Sequence, residues 1–206
     1  MSVIYGCKSY HQKGYIDQDQ EKYMFYLHGG VVQEQGINAV SHIYGKYEYV
    51  AIVDAIQRNG FKVISEVREK ETEDKDYAEK IKFQIDSLIA NGIMPRNIVV
   101  VGASAGAYIA LESAIMVNHS DIKYALIGLC SDYALDYFSP FKDRFIGNFL
   151  SIYESSDSKG SCALLFSIPL SQVRFKEIQL HMGINHSFLY APHEEWVKPL
   201  VDWAKE

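Results

Sequence analysis

The chain has 206 residues, of which 48% are hydrophobic, 13% aromatic and 22% charged. A chain of this length and composition buries roughly 70% of its unfolded surface in an ordinary core, which excludes disordered, collagen-like and disulfide-scaffold classes. We expect a single domain over residues 1–206. The formal net charge of -6 argues against a nucleic-acid partner, because such proteins concentrate basic side chains on one face.

The cysteines and the apolar segments indicate the cellular compartment of the protein. Cys7, Cys130 and Cys162 are odd in number and lack CxxC spacing, so we interpret them as reduced thiols in a reducing compartment, the cytoplasm. No stretch approaches the roughly 18 apolar residues that a membrane span requires, and the first twenty residues lack a signal-peptide pattern. We therefore expect no membrane partner.

Short apolar runs alternate with longer segments of helical period along the chain. This pattern predicts an α/β fold with a mostly parallel central sheet of six or more strands flanked by helices. The predicted strands cover residues 23–27, 61–65, 97–101, 124–129, 149–153 and 177–182. Residues 98–101 (Ile-Val-Val-Val) show no alternation and predict a strand covered on both faces, whereas residues 177–182 alternate and predict a strand nearer the edge.

Three helices are predicted from periodicity. Residues 76–90 carry one apolar stripe and predict a surface helix, whereas residues 105–117 are apolar almost all round and predict the buried central helix. Near the C-terminus, Trp196, Leu200 and Trp203 form a stripe, and Pro199 inside it should kink or break the helix. The strongly charged residues 66–76 predict a solvated connection.

The sequence Gly102-Ala103-Ser104-Ala105-Gly106 lies between the buried strand and the central helix. Small residues are needed where a serine sits on a sharp strand-to-helix turn, because glycines let the strand and the helix approach closely. The serine hydroxyl then projects above the sheet, beside the unpaired amides of the helix N-terminus. This context predicts a nucleophile at Ser104.

A second motif, His28-Gly29-Gly30, follows the first predicted strand. Paired glycines at a strand end let backbone amides face a ligand. Together with the serine motif, this turn resembles the α/β-hydrolase superfamily, in particular its small esterase and dienelactone-hydrolase-like members, over about residues 23–203. The resemblance implies an oxyanion hole formed by the amides of Ala105 and Gly30. Val31 replaces a third glycine found in lipase-type turns, so Gly29 and Val31 stay open as alternative donors.

The resemblance also implies a triad in the chain order serine, acid, histidine. Asp157, in the turn after the predicted strand 149–153, is the first choice of acid; Glu154 is the fallback, and Asp132 and Asp136 rank third. His186 is the chosen base, because it lies on the loop that leaves the last strand and because the stretch from Gly183 resembles the Gly-x-x-His-x-Phe ending of the superfamily. The other histidines after Asp157 are less suitable, since His181 falls in the last strand and His193 opens the terminal helix.

These residues predict acyl transfer to water, with a small carboxylic ester or thioester as the substrate. A short cap at about residues 131–148 suits a small soluble substrate, and its Tyr133, Tyr137 and Phe138 are candidates to line the pocket. The histidines and cysteines lack metal-ligand spacing, and no nucleotide motif occurs, so no cofactor is expected. A non-catalytic binding protein of the same fold is the alternative, a peptidase is less favoured, and the oligomeric state stays open.

Overall fold

In the computed structural model, which describes residues 21–167 and 173–206, six strands pair in parallel into one sheet. In chain order the elements are β1 (Lys22–Leu27), α1 (Gly30–Gln35), β2 (Val40–Ser41), β3 (Gly45–Lys46), α2 (Tyr49–Arg58), β4 (Phe61–Ile64), α3 (Asp74–Ala90), β5 (Ile98–Ala103), α4 (Ala105–Val117), β6 (Lys123–Ile127), α5 (Asp132–Phe138), β7 (Gly147–Glu154), β8 (Val173–Leu180) and α6 (Glu194–Lys205). The sheet order is β4-β1-β5-β6-β7-β8, and β2 and β3 form a separate short antiparallel pair.

The predicted α/β fold and its six strands are confirmed. Strand β5 is buried along its whole length, as its unbroken apolar sequence predicts, and β8 lies at the sheet edge. The position predicted for the last strand is displaced, because β8 spans Val173–Leu180 instead of 177–182. Its first residues alternate apolar with charged, as an edge strand does, and these charges obscure its start in the sequence.

Apolar layers cover both faces of the sheet. Helices α1, α2 and α6 pack on one face, and α3, α4 and α5 pack on the other. Helix α4 is buried on most sides, as its composition predicts. Helix α6 continues through Pro199 as one element, so the predicted break does not occur. The buried stripe of Trp196, Leu200 and Trp203 keeps the helix on the sheet despite the backbone hydrogen bond that proline removes.

The prediction of reduced thiols is wrong for Cys130 and Cys162, which form a disulfide. Cys130 follows β6 and Cys162 lies beyond β7, and these strands are neighbours in the sheet, which brings together two residues that are 32 positions apart. This disulfide removes the basis for expecting a reducing, cytoplasmic compartment. Cys7 lies outside the described residues. Among those described, no helix is long and apolar enough to cross a membrane.

The connection between β4 and α3 is largely exposed, as predicted, and Arg68 is its buried exception. Arg68 is only 2% exposed and lies against the residues that follow β1. Its Nη2 donates to the carbonyl oxygen of His28 at 2.6 Å, and its backbone N–H donates to Nε2 of His28 at 2.9 Å. Gln33 of α1 holds the connection down by donating to the carbonyl oxygens of Lys70 and Thr72. Specific partners in the turn after β1 and on α1 thus bury the Arg68 side chain, whereas the charged residues around it stay exposed.

His28 is itself fully buried, and it is neutral in this environment. Burial, and then the charge of Arg68, lowers the pKa of His28 from 6.5 to about 4. Because an amide N–H can only donate, Nε2 of His28 accepts the Arg68 bond, and Nδ1 carries the proton that is donated to the carbonyl oxygen of Gly29 at 2.9 Å. The surrounding hydrogen bonds therefore select one neutral tautomer.

The close approach of α4 to β1 gives a first prediction. A Cβ atom at Gly106 would lie 2.0 Å from the carbonyl oxygen of Leu27, so Gly106→Ala must separate the helix from the sheet. We expect Gly106→Ala to lower the free energy of unfolding by about 4 kcal/mol, measured by denaturant titration. Gly160→Ala is the matched control, because its Cβ atom meets nothing within 4 Å and it should change stability by less than about 0.5 kcal/mol. Equal stability of the two variants would contradict the predicted clash.

The buried histidine gives a second prediction. Between pH 6.5 and about 4 the unfolded chain binds a proton at His28 and the folded chain does not, so stability is lost as the pH falls through this window. The loss attributable to His28 should be on the order of 3 kcal/mol. Denaturant titrations of the native protein and of His28→Gln from pH 7 to 4 should show a steeper loss for the native protein. Parallel pH curves for the two proteins would refute this effect.

Candidate active site

Ser104 occupies the sharp turn between β5 and α4. Its backbone has φ 52° and ψ -116°, a strained conformation for a residue other than glycine, and its N–H donates to the carbonyl oxygen of Ile127 at 2.8 Å. Gly102 and Gly106 make this turn possible, because a Cβ atom at Gly102 would lie 2.3 Å from the Gly106 carbonyl oxygen. The turn presents the serine side chain at the carboxyl edge of the sheet, where ligands of open α/β sheets bind.

His186 reaches Ser104 from the opposite end of the chain. It lies in a 3-10 turn, Asn185–Tyr190, that follows β8, and its Nε2 lies 2.9 Å from the Ser104 hydroxyl oxygen. Gly128, in the left-handed region at φ 61°, makes room for the ring, since a Cβ atom there would lie 3.3 Å from Cε1 of His186. Gly128 is not predicted from the sequence, where its only signal is a glycine that interrupts a predicted apolar strand.

Asp157 lies on the other side of the imidazole. Its Oδ2 is 2.5 Å from Nδ1 of His186, and its side chain is only 2% exposed. Because the carboxylate can only accept, Nδ1–H of His186 donates to Asp157, and Nε2 is left to accept the hydroxyl proton of Ser104. The three residues chosen from sequence therefore form one hydrogen-bonded chain, although 82 positions separate Ser104 from His186.

Glu154, the fallback acid, faces a different group of donors. Its carboxylate accepts backbone N–H bonds from Met182, Gly183 and Ser156, and hydroxyl bonds from Ser155 and Ser156. Burial raises the pKa of Glu154, but these backbone donors outweigh burial and leave the pKa below its ordinary value. Glu154 thus anchors the segment that leads from β8 to His186.

The remaining alternatives do not reach the serine. Asp132 and Asp136 are exposed on α5, His181 is exposed just beyond β8, and His193 is the residue before α6. Within residues 21–167 and 173–206, none of these four hydrogen-bonds to Ser104 or His186.

The disulfide holds the segment that carries Asp157. Cys162 is five residues beyond Asp157, and its bond to Cys130 joins this segment to the residues that follow β6. The backbone N–H of Gly160 also donates to the Cys130 carbonyl oxygen at 2.8 Å. Two connections from the β6 end therefore restrain the loop in which the acid lies.

The His28-Gly29-Gly30 turn packs against the serine turn. A Cβ atom at Gly29 would lie 3.7 Å from Cβ of Ser104, and one at Gly30 would lie 3.6 Å from Cβ of Ala105. The hydroxyl of Tyr47 lies beside Gly29. Burial raises the pKa of Tyr47 to about 12, and hydrogen bonds from the Tyr26 hydroxyl and the Gly29 backbone act in the opposite direction. The Tyr47 ring packs against the turn as well, since a Cβ atom at Gly29 would lie 3.7 Å from its Cε2.

A cavity of about 420 Å³ opens beside Ser104. Tyr133 and Tyr137 line it, as predicted, together with Glu73, Asp74, Lys75, Ala105, Tyr108, Glu112, Gly128, Leu129 and Lys159. The prediction for Phe138 is wrong, because α5 turns this side chain into the core, where it is 0% exposed. The sequence of a short aromatic-rich segment does not show which of its rings are buried, because this depends on how its helix packs against the core.

The polar character of this cavity is set by Glu112 as well as by the tyrosines. The Tyr137 hydroxyl donates to Oε1 of the buried Glu112 at 2.8 Å, and this bond raises the pKa of Tyr137 to about 12. In the described part of the chain, no group of three or more His, Cys, Asp or Glu side chains is arranged to hold a metal ion.

Comparison with known proteins relates this architecture to solved structures. No family model matches the sequence, and no curated protein is similar enough to count as a relative. Among solved structures, a fungal esterase from Rhizomucor miehei aligns with a TM-score of 0.62 and 15% identity, over 91% of this chain and 75% of the esterase.

Two archaeal proteins show the same likeness. An esterase from Pyrococcus furiosus has a TM-score of 0.55 and 15% identity, over 91% of this chain and 83% of its own. A protein described as a predicted CIB-like hydrolase, from Thermoplasma acidophilum, has a TM-score of 0.56 and 19% identity, over 91% and 88% of the two chains. The chain therefore has the α/β-hydrolase fold.

Proposed function

We propose that the protein is a serine hydrolase that cleaves a small carboxylic ester or thioester through an acyl-enzyme. The observation that carries this proposal is the hydrogen-bonded chain from Asp157 through His186 to Ser104, at the carboxyl edge of the sheet. A serine on a strained turn, with an imidazole nitrogen as its hydrogen-bond partner, is the arrangement that activates a hydroxyl for attack on a carbonyl. The esterases among the structural neighbours favour the same reaction class.

In this mechanism, His186 takes the hydroxyl proton as Ser104 attacks the acyl carbonyl carbon. Asp157 accepts the Nδ1–H bond and stabilises the imidazolium that forms. The tetrahedral intermediate collapses when His186 returns the proton to the leaving alcohol or thiol, which departs as the neutral molecule. Water then attacks the acyl-enzyme by the same steps, and the carboxylic acid and free Ser104 are released.

Two backbone amides are assigned as the hydrogen-bond donors that stabilise the oxyanion of the tetrahedral intermediate. The Ala105 N–H, at the start of α4, is the first, because the helix N-terminus carries unpaired donors and partial positive charge. For the second, Gly30 is preferred to Gly29, because Gly30 packs beside Ala105, with an added Cβ atom 3.6 Å from Cβ of Ala105. Gly30 begins α1, so its N–H also lacks an acceptor within its own helix.

A small substrate is favoured by the cavity beside Ser104. Its volume of about 420 Å³ falls near the lower end for ligand sites, and Tyr108, Tyr133 and Tyr137 supply aromatic surface. The polar groups that share this surface, such as Glu112, make a long alkyl chain an unfavourable occupant. We therefore expect acetyl or other short acyl groups to react fastest.

Removal of the nucleophile tests the reaction class. Ser104→Ala should lower kcat for p-nitrophenyl acetate by about 10⁴- to 10⁶-fold, because members of a triad act as a unit. The same change should abolish labelling by a fluorophosphonate probe, which reacts only with an activated serine.

Ser158→Ala is the control, since Ser158 is an exposed serine in the segment that carries Asp157. The Ser158→Ala protein should retain native ester hydrolysis and native labelling by the fluorophosphonate probe. A Ser104→Ala protein that is folded and still hydrolyses the ester would refute the assignment. A folded native protein that neither labels nor hydrolyses esters would favour a binding protein of this fold.

A carboxylate substitution tests the acid. Asp157→Asn should lower kcat by about 10³- to 10⁴-fold, because an amide fails to hold the imidazole in the required tautomer. Asp136→Asn, which changes an exposed carboxylate on α5, should leave kcat within a factor of two of the native value. Stopped-flow and steady-state ester hydrolysis measure both variants, and the reverse pattern would move the acid to α5.

A further inference from the structure

Arg68 is an unusual buried cation near the site. It is 2% exposed, and no carboxylate in residues 21–167 or 173–206 forms an ion pair with it. Its neutral partners are the His28 carbonyl oxygen at 2.6 Å, Oε1 of Gln33 at 3.1 Å and the ring of Tyr77 at 5.6 Å. Asp74 attracts this charge only from beyond ion-pair distance, and a buried charge without a carboxylate in contact is costly, so this position calls for a compensating role.

The contacts of Arg68 converge on the turn that follows β1. Its guanidinium holds the carbonyl oxygen of His28, and its backbone N–H holds the His28 ring. The ring in turn donates from Nδ1 to the carbonyl oxygen of Gly29, which also accepts the Val32 N–H at 3.2 Å. The peptide bond between Gly29 and Gly30 is therefore held through its oxygen by two donors.

This restraint determines where the next amide points. In a trans peptide the N–H lies opposite the C=O, so a carbonyl of Gly29 that faces the imidazole directs the N–H of Gly30 to the other side. Glycine lies on both sides of this peptide bond, so no Cβ atom hinders rotation of the peptide plane. Only contacts from other residues can hold the plane in one orientation. Ser104 and Ala105 of the serine turn pack against Gly29 and Gly30.

We propose that Arg68 and His28 are positioning residues that lock the Gly29–Gly30 peptide with the Gly30 N–H directed at the oxyanion. This inference rests on the function proposed above, and it assigns the buried charge to the catalytic step. Neither residue touches the substrate, and both act through the backbone of the turn.

Arg68→Met tests the proposal, because methionine fills the space and removes the donors. We expect kcat for p-nitrophenyl acetate to fall by about 10- to 100-fold while KM changes by less than about 3-fold, since an oxyanion donor acts mainly in the transition state. The affinity for phenylboronic acid, which forms a tetrahedral adduct on the serine, should fall by a similar factor. Arg68→Lys should restore part of the kcat and part of the phenylboronic acid affinity, because lysine returns one charged donor to the turn.

Lys123→Met is the matched control. Lys123 is another partly buried cation whose Nζ donates to a backbone carbonyl oxygen, that of Ala204 at 2.9 Å, but it lies at the amino edge of the sheet. Its loss should leave kcat and boronic acid affinity within a factor of about two of the native values. Circular dichroism and thermal melts establish that each variant is folded at the assay temperature, so a change in kcat reports on the turn and not on global stability.

A folded Arg68→Met protein with native kcat and native boronic acid affinity would refute the proposed positioning role of Arg68. If Arg68→Met does not fold, Gln33→Leu takes its place, because it removes the acceptor of the Arg68 Nε and the two bonds that hold the connection. It should lower kcat by about 3- to 10-fold with little change in KM, and native values in that variant would overturn the lock equally. An inert native protein would instead refute the proposed function, on which the lock depends.

Discussion

The candidate site depends on the parallel register of the central strands. Leu27 of β1 pairs with Gly102 of β5, and Glu154 of β7 pairs with Leu180 of β8, so the strands end at one edge. The residues that follow each strand are therefore neighbours, although they are far apart along the chain. Without this register, no local motif would bring the imidazole of His186 to the hydroxyl of Ser104.

Within that frame, each loop is fixed by contacts outside the reacting groups. Glu154 binds the segment before His186 with its carboxylate, and the Cys130–Cys162 disulfide restrains the segment of Asp157. Charge-assisted hydrogen bonds to backbone amides are among the stronger interactions available to a loop. These contacts reduce the freedom of the acid and base before a substrate binds, which is the physical basis of preorganisation.

The turn after β1 combines features that lower stability with a geometry that serves the proposed reaction. A neutral buried histidine and an unpaired buried arginine each carry a cost relative to apolar residues of similar size. The strained backbone of Ser104 adds to this cost. Such costs concentrate at functional sites, where the surrounding core must supply the stability, and here the apolar β5 and the largely apolar α4 provide it.

Much of the fold and most of the candidate site follow from local patterns. Unbroken apolar runs identify buried parallel strands, helical periodicity identifies the flanking helices, and the glycines around Ser104 mark a turn that larger residues do not fit. The serine motif predicts Ser104, and the resemblance to the α/β-hydrolase superfamily implies Asp157 and His186. The three side chains lie in hydrogen-bonding contact. Local patterns succeed here because strand ends in a parallel sheet share one edge, so sequence order translates directly into spatial proximity.

The sequence alone thus determined the architecture and the side chains that meet at its carboxyl edge. Only the tertiary structure decided the burial of Arg68, the pairing of Cys130 with Cys162 and the inward orientation of Phe138. Arg68 lies 40 positions from His28, and the two cysteines are 32 positions apart, so no local period or spacing records these contacts. They arise when packed strands and helices supply partners that outweigh the solvation of a charge or the exposure of a ring.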